Sequence, residues 1–319
     1  FGFSLIYGLT GTTSLREMAP GLASHAADPL LWVALVGVLA GLGFKVAVVP
    51  FHLWAPDVYE GAPTPSAALI ATGSKIASFF ILARLLMVGL PGNPGSANWQ
   101  ACASGWALAL AVPSAVSMVF GNLAALVQVS VKRLLAYSAI AHAGYLLLAI
   151  IANSPLGQSA LIYYVFVYAL ATLGAFAVVS VVEQNTGGDR LSDFAGLVRR
   201  APILSGCLLV FMLSLAGIPP LAGFFGKFYV FLAAADSGAG MGLLWLVILA
   251  IATSVVSLYY YLLVLKQVFV REVPEGVRPF HPNWGANAAA MVLCLAVVLL
   301  GCFPSWIVDL IEVASSASH

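Results

Sequence analysis

The sequence predicts an all-α fold, a polytopic bundle of transmembrane helices, and three observations carry that prediction. Of its 319 residues 62% are hydrophobic and 8% charged, where a soluble domain carries roughly a quarter charged residues. Eight apolar runs approach the roughly 20 residues that a helix needs to cross a bilayer. Strand alternation is absent and Gly and Pro are frequent, as in a helical bundle rather than a barrel.

In chain order the runs cover 30–55, 65–90, 104–127, 133–152, 157–182, 202–235, 241–265 and 286–311. Phe1–Leu9 reads as the tail of an earlier span. A chain that opens at Phe1, without Met and already inside apolar sequence, is expected to be the C-terminal part of a longer protein, with no signal peptide in view. Lys132 and Arg133, then Arg190, Arg199 and Arg200, then Lys266, Arg271 and Arg278 fall in three connections. These alternate with connections at 91–103, 153–156 and 236–240 that contain neither residue type. The positive-inside rule therefore puts the three basic connections and the 56–64 loop in the cytoplasm and the C-terminal tail outside, with Arg16 the one basic residue on the outer side.

Two runs are interrupted. Pro50 falls inside the first, where it removes a backbone hydrogen bond and clashes with the preceding turn. Gly217-Ile218-Pro219-Pro220-Leu221-Ala222-Gly223 cannot continue the sixth as helix. Open backbone at membrane depth is tolerated against protein or a water-filled cavity, and paired broken helices point to an ion pathway.

Three lysines sit inside the runs: Lys45, Lys75 and Lys227. A charge near the bilayer centre costs about 2.5–3.5 kcal/mol on insertion scales, so each is a functional candidate. At a helical rise of about 1.5 Å per residue, Lys45 and Lys75 are expected to be level, some 15 Å from one end of a hairpin, and Lys227 at similar depth. Snorkelling and structural ion pairing are the alternatives. Stems of about 6 Å do not easily bridge that depth, and every Asp and Glu lies in a connection or near a run's end. Desolvation penalises the charged form of lysine, which makes a buried one a switchable proton site. Driving a proton against 100 mV takes about 2.3 kcal/mol.

His142, halfway along the fourth run, is a candidate to pass protons laterally or a histidine bonded to backbone. Ser74, Tyr137, Ser138, Tyr164, Tyr168 and Thr172 line water or pack helices. Arg84 reads as interfacial, and His52, with Phe51 and Trp54, as part of an aromatic membrane boundary. Cys102, Cys207, Cys294 and Cys302 form no C-x-x-C pair and read as packing residues, so neither an iron–sulfur nor a zinc site is expected. Gly223–Phe228 lacks the spacing of a phosphate loop.

Three segments carry a resemblance: Pro50 to Pro65 (PFHLWAPDVYEGAPTP), Lys132 to Tyr145 (KRLLAYSAIAHAGY) and Leu215 to Phe228 (LAGIPPLAGFFGKF). They resemble the antiporter-like membrane subunits of bacterial NADH:quinone oxidoreductase, respiratory complex I, and the Asp57–Gly61 stretch resembles the subunit N group among them. The similarity runs over essentially the whole chain.

The resemblance implies antiporter-like inverted repeats with two discontinuous helices. Residues 1–90 would complete the first repeat, 104–267 form the second, and 285–319 add a terminal helix and tail. It implies roles in proton transfer for Lys45 and Lys227 in two half-channels, for Lys75 as the connecting lysine, and for His142 between them. It also implies a glutamate partner for Lys45 on an earlier helix that this chain does not contain. No cofactor is expected in the chain itself. NADH, FMN, iron–sulfur clusters and quinone are expected in partner subunits, with other complex I membrane subunits, lipid and protons as partners and no nucleic acid. The expected place is the bacterial inner membrane. A cation/proton antiporter without a redox partner and a non-pumping membrane scaffold remain the alternatives.

Overall fold

The computed structural model describes residues 1–23, 25, 28–92, 94–237, 241–273 and 284–316. Arg278, which the charge pattern assigns to the cytoplasmic side, lies outside the described residues, as do parts of the 91–103 and 236–240 connections and of the tail.

The chain is a multi-pass helical bundle. Its helices are α1 (Gly2–Thr10), α2 (Leu15–Ala23), α3 (Pro29–Val46), α4 (Trp54–Gly61), α5 (Thr64–Leu69), α6 (Lys75–Arg84), α7 (Trp106–Ala125), α8 (Val131–Ile151), α9 (Pro155–Thr186), α10 (Leu197–Arg200), α11 (Pro202–Ala216), α12 (Ala222–Asp236), α13 (Leu244–Phe269), α14 (Trp284–Cys302) and α15 (Ser305–Ser316). A π-helical turn, Ile70–Ser74, joins α5 to α6, and a second, Leu85–Gly89, completes one apolar rod over Thr64–Gly89. A two-residue antiparallel pair, β1 (Ser96–Ala97) with β2 (Cys102–Ala103), lies in the connection before α7. Seven described helices are long and apolar enough to cross a membrane.

Caps set the helix starts where the chain turns. Asp28 accepts from the Leu30 N–H at 2.8 Å to open α3, Ser130 from the Arg133 N–H at 3.1 Å to open α8, and Ser154 from the Gly157 N–H at 3.0 Å to open α9. Each satisfies a backbone donor that has no carbonyl within its own helix.

Helix α8 is the axis of the bundle. Some 94% of its membrane-length window is buried, against 33% for α3 and 17% for α14, so a side chain on almost any face of α8 is interior. It packs on α7 and α9 and also touches α4, α12 and α13.

The connections that carry Lys and Arg do gather at one end. Arg133 bonds Asp57 and Glu60 at 2.8 Å each, Lys132 bonds Glu183 at 2.7 Å, Ser130 bonds Asp189, and the Gly196 N–H donates to Gln267. The opposite end ties the 91–103 connection to the start of α13, where Trp245 Nε1 donates to the Ala97 carbonyl at 3.0 Å.

Several boundaries need correction. The 30–55 run is not one helix kinked at Pro50: α3 stops at Val46, residues 47–53 are irregular, and the chain resumes as α4 through most of the expected 56–64 loop. Two prolines, Pro50 and Pro56, favour that division. The helical ruler that put Lys45 level with Lys75 therefore does not apply across 47–53. The 286–311 run divides at Phe303-Pro304 into α14 and α15. Lys132, expected in a connection, is buried inside the first turn of α8. Cys102 and Cys302 are exposed rather than packed.

Both interruptions use the same backbone solution. At the first, Ala47 takes a left-handed conformation (φ 59°), the Val48 N–H reaches back to the Gly43 carbonyl at 3.0 Å, and a turn closes from the Phe51 N–H to Val48 at 2.7 Å. At the second, Gly217 is left-handed (φ 88°), Ile218 reaches back to Leu213 at 3.0 Å, and Leu221 turns onto Ile218 at 3.1 Å. Val49-Pro50 and Pro219-Pro220 are both cis. Side chains satisfy the open backbone: the Val49 N–H donates to Ser117 Oγ at 2.9 Å, and the Gly223 N–H to Ser214 Oγ at 3.1 Å.

Candidate functional site

Three of the four sequence-predicted residues meet in the interior. Lys75, His142 and Lys227 are 1%, 2% and 4% exposed. Lys45 is not with them: it is exposed at the last turn of α3, with no partner among the described residues. Its helix is apolar on all faces, so the sequence carries no signal of which way the lysine points.

The π turn helps to aim Lys75. One extra residue in a helical turn rotates everything after it by about 100°, and Lys75 is the first residue after Ile70–Ser74. Its Nζ donates to the Ala139 carbonyl on α8 and stands 5.5 Å from the centre of the Tyr168 ring. That ring is 5.0 Å from the imidazole of His142.

His142 is the middle of the arrangement. Tyr164 Oη lies 2.6 Å from Nδ1 and Tyr261 Oη 3.2 Å from Nε2, and Tyr261 also bonds Ser138 Oγ. A neutral imidazole donates through one nitrogen and accepts through the other, while a phenol does either. A proton arriving at one nitrogen can therefore leave from the other.

Beyond His142 the line continues through Tyr145, edge-on at 5.8 Å between ring centres, to Lys227, whose Nζ sits 5.3 Å from the Tyr145 ring centre. Lys227 donates to the Ala216 carbonyl at 3.0 Å and to Ser254 Oγ at 2.8 Å. Ala216 ends α11, so the break itself exposes the carbonyl that holds the lysine. Tyr145 is fixed in turn by Asn122 at 3.0 Å and Thr253 at 3.2 Å, and Asn122 accepts from Tyr260 at 3.0 Å.

Among the described residues no carboxylate pairs with Lys75, His142 or Lys227. Rings, hydroxyls and backbone carbonyls replace it. A cation over a desolvated ring gains about 2 kcal/mol, which offsets only part of the burial of an ammonium. Tyr168 Oη and Thr172 Oγ1, one turn apart on α9, are buried without a partner in hydrogen-bonding geometry among the described residues.

His52, read from the sequence as part of the aromatic boundary, packs inward. It is 6% exposed in the first break, edge-on to Phe120 at 4.8 Å between ring centres.

Sequence reasoning missed Tyr261, Asn122, Thr253 and Ser254. A signal was present on α13: Thr253, Ser257, Tyr260 and Tyr261 recur at spacings that lie along one helical face. It was hidden because hydroxyls pack helices as readily as they conduct.

The transmembrane family described as NADH:quinone oxidoreductase/Mrp antiporter matches residues 1–257. A NADH-quinone oxidoreductase subunit N 2 from Acidobacterium capsulatum is 54% identical over 305 residues, which are 96% of this chain and 61% of that protein. The chain thus spans about three fifths of the length of such relatives. A chain in the structure of respiratory complex I from Thermus thermophilus with bound aureothin is 42% identical, with a TM-score of 0.79 over 97% of this chain and 64% of that one. A chain of the Mrp complex from Dietzia sp. has the same fold at 23% identity and a TM-score of 0.85, over 97% and 63% of the two chains.

Proposed function

The chain belongs to the NADH:quinone oxidoreductase/Mrp antiporter transmembrane family, and from that premise we propose that it is the proton-translocating part of a membrane subunit of an NADH:quinone oxidoreductase. Neighbouring subunits carry NADH, FMN, the iron–sulfur clusters and quinone, and other membrane subunits flank this one. The protein sits in a bacterial inner membrane with its Lys/Arg-rich end in the cytoplasm and the C-terminal tail outside.

The observation that supports this reading best is the buried line Lys75, Tyr168, His142, Tyr145, Lys227. It crosses the bundle through α6, α9, α8 and α12, and among the described residues its two terminal lysines have no carboxylate counter-ion. A proton held at one end raises the cost of a proton at the other, so loading and release are coupled through the interior. His142 passes charge between them by exchange of its two ring nitrogens. Lys45 acts from the outer face of the first break, against the glutamate that the resemblance puts on an earlier helix, and hands its proton inward to Lys75.

Replacing Lys227 with Ala in the whole complex tests the reading. The expected outcome is normal assembly, with proton pumping per NADH oxidised lost or cut by at least about tenfold. Unimpaired pumping by a normally assembled complex removes Lys227 from the mechanism. The Mrp likeness supports a shared fold; copurification with flavin and iron–sulfur subunits separates a redox-driven subunit from a stand-alone antiporter.

A further inference from the structure

A cavity of about 290 Å³ opens beside the second break and is lined by Ala216, Gly217, Phe224, Phe228, Ile251 and Ser254, among others, with Lys227 at its wall. Its side-chain lining is apolar apart from Lys227 and Ser254. Lys227 is buried, whereas Ser254 is half-buried and its neighbours Ile251 and Val255 are 50% and 67% exposed. Lys227 and Ser254 thus both line the cavity, Ser254 at the more exposed position of the two.

The hydrogen bond sets donor and acceptor while the lysine is charged. An ammonium has donors and no acceptor, so at 2.8 Å Lys227 donates and Ser254 Oγ accepts. The hydroxyl's own hydrogen stays free to donate, and no acceptor for it is found among the described residues. At the other end of the line, Lys75 donates to the Ala139 carbonyl, which accepts a hydrogen bond but has no proton to pass on.

We infer that Ser254 is the relay residue through which Lys227 exchanges its proton with water in this cavity. The inference rests on the proton-transfer reading above. In the release step the Lys227 N–H bond breaks as a new O–H bond forms at Ser254 Oγ, while the original Ser254 hydrogen leaves to a water molecule. The products are a neutral amine, an unchanged serine and a protonated water; reversal loads the lysine. No oxidant or reductant is required. A water at the Lys227–Ser254 end of the cavity has the hydroxyl, the ammonium and the Ala216 carbonyl as polar partners.

The test uses the complete complex in sealed vesicles, with three variants compared at equal NADH:quinone turnover and with assembly checked by native gel. Ser254→Ala is expected to lower proton pumping per NADH by about tenfold, the scale of one charge-assisted hydrogen bond. Ser254→Thr, which keeps a hydroxyl on the same Cβ, is expected to restore pumping and the parent's solvent deuterium effect. Lys227→Ala is the control for the underlying reading. Loss in Ser254→Ala with rescue in Ser254→Thr supports the relay. Parent-like pumping and isotope effect in Ser254→Ala, while Lys227→Ala is inactive, overturn the relay and leave the reading standing. Parent-like pumping in Lys227→Ala overturns both. If Ser254→Ala fails to assemble, Ser254→Val takes its place: it keeps the bulk of threonine without an exchangeable proton, and parent-like pumping and isotope effect there overturn the relay.

Discussion

The two broken helices are near copies in backbone and opposites in charge placement. Ala47 answers Gly217, Val48 answers Ile218 and Pro50 answers Pro220, with the same reach-back bond and the same closing turn. Yet Lys45 lies just before its break, whereas Lys227 lies two turns after its own, where the first break has Asp57 in a surface ion pair with Arg133. In this chain, which spans about three fifths of the length of its relatives, the first lysine is exposed and the second buried. The interruption is a reusable backbone device that opens carbonyls at membrane depth. What it does chemically depends on where in the two half-helices the sequence puts an ionisable side chain.

The comparison breaks first, and hardest, at the left-handed residue of the second copy. Gly217→Val forces a β-branched residue to φ 88° and brings its Cβ within 3.1 Å of Lys227 Cδ. We expect a loss of about 3 kcal/mol, read as loss of the subunit from the assembled complex on a native gel. A subunit retained at parent level would mean that the second break tolerates what the first does, and that the glycine is not what distinguishes them.

A smaller effect is expected at Gly226, where a Cβ would fall 2.4 Å from the Tyr164 ring. Gly226→Ala pushes that ring, and its hydroxyl is the Nδ1 partner of His142. Overpacking of this kind costs about 1–3 kcal/mol, with a fall in pumping larger than the fall in assembly. Equal falls in both would show that Tyr164 packs and does not conduct.

How much of this was legible in the sequence follows from what each residue type announces. Pro50, and Gly217 with Pro219 and Pro220, announce a break because neither residue type serves a helix interior. The spans were legible because apolar length is a direct bilayer requirement. Rotation is not: a helix apolar on every face has no moment to say which side is inward, so Lys45 and Lys75 read alike, although within this chain one is exposed and the other buried. The π turn before Lys75 has no marker in Ile70-Ala71-Thr72-Gly73-Ser74 that separates it from ordinary helix. Lys132 reads as part of a connection because basic residues usually end spans, yet it is buried and its Nζ bonds Glu183, which also accepts from Thr64 at the start of α5.

That half-buried pair sharpens the comparison at the first break, since Glu183 ties α8 and α9 to the rod that carries Lys75. Lys132→Met removes the cation and leaves Glu183, which is 34% exposed at its side chain and so partly screened. We expect a loss of about 1–2 kcal/mol, measured by thermal unfolding of the purified complex. Glu183→Gln in the same background should recover part of it, because no charge is then left without its partner. No recovery would mean that the pair contributes packing and not charge.

The smallest effect is expected at Ala47, and its sign decides whether the first break is as comfortable as the second. A left-handed alanine at φ 59° costs about 1–2 kcal/mol relative to its right-handed form, and glycine is free of that cost but loses more entropy on folding, by about 0.5–1 kcal/mol. The difference favours Ala47→Gly by a few tenths to about 1 kcal/mol. A raised unfolding temperature with unchanged pumping would make the two breaks energetically equivalent, and the position of the lysine alone would separate them. A lowered temperature would mean that the Ala47 methyl, 1% exposed in the core beside Val46 and Val48, contributes more by packing than its backbone conformation costs, and that the first break is held by side-chain contacts where the second is held by glycine.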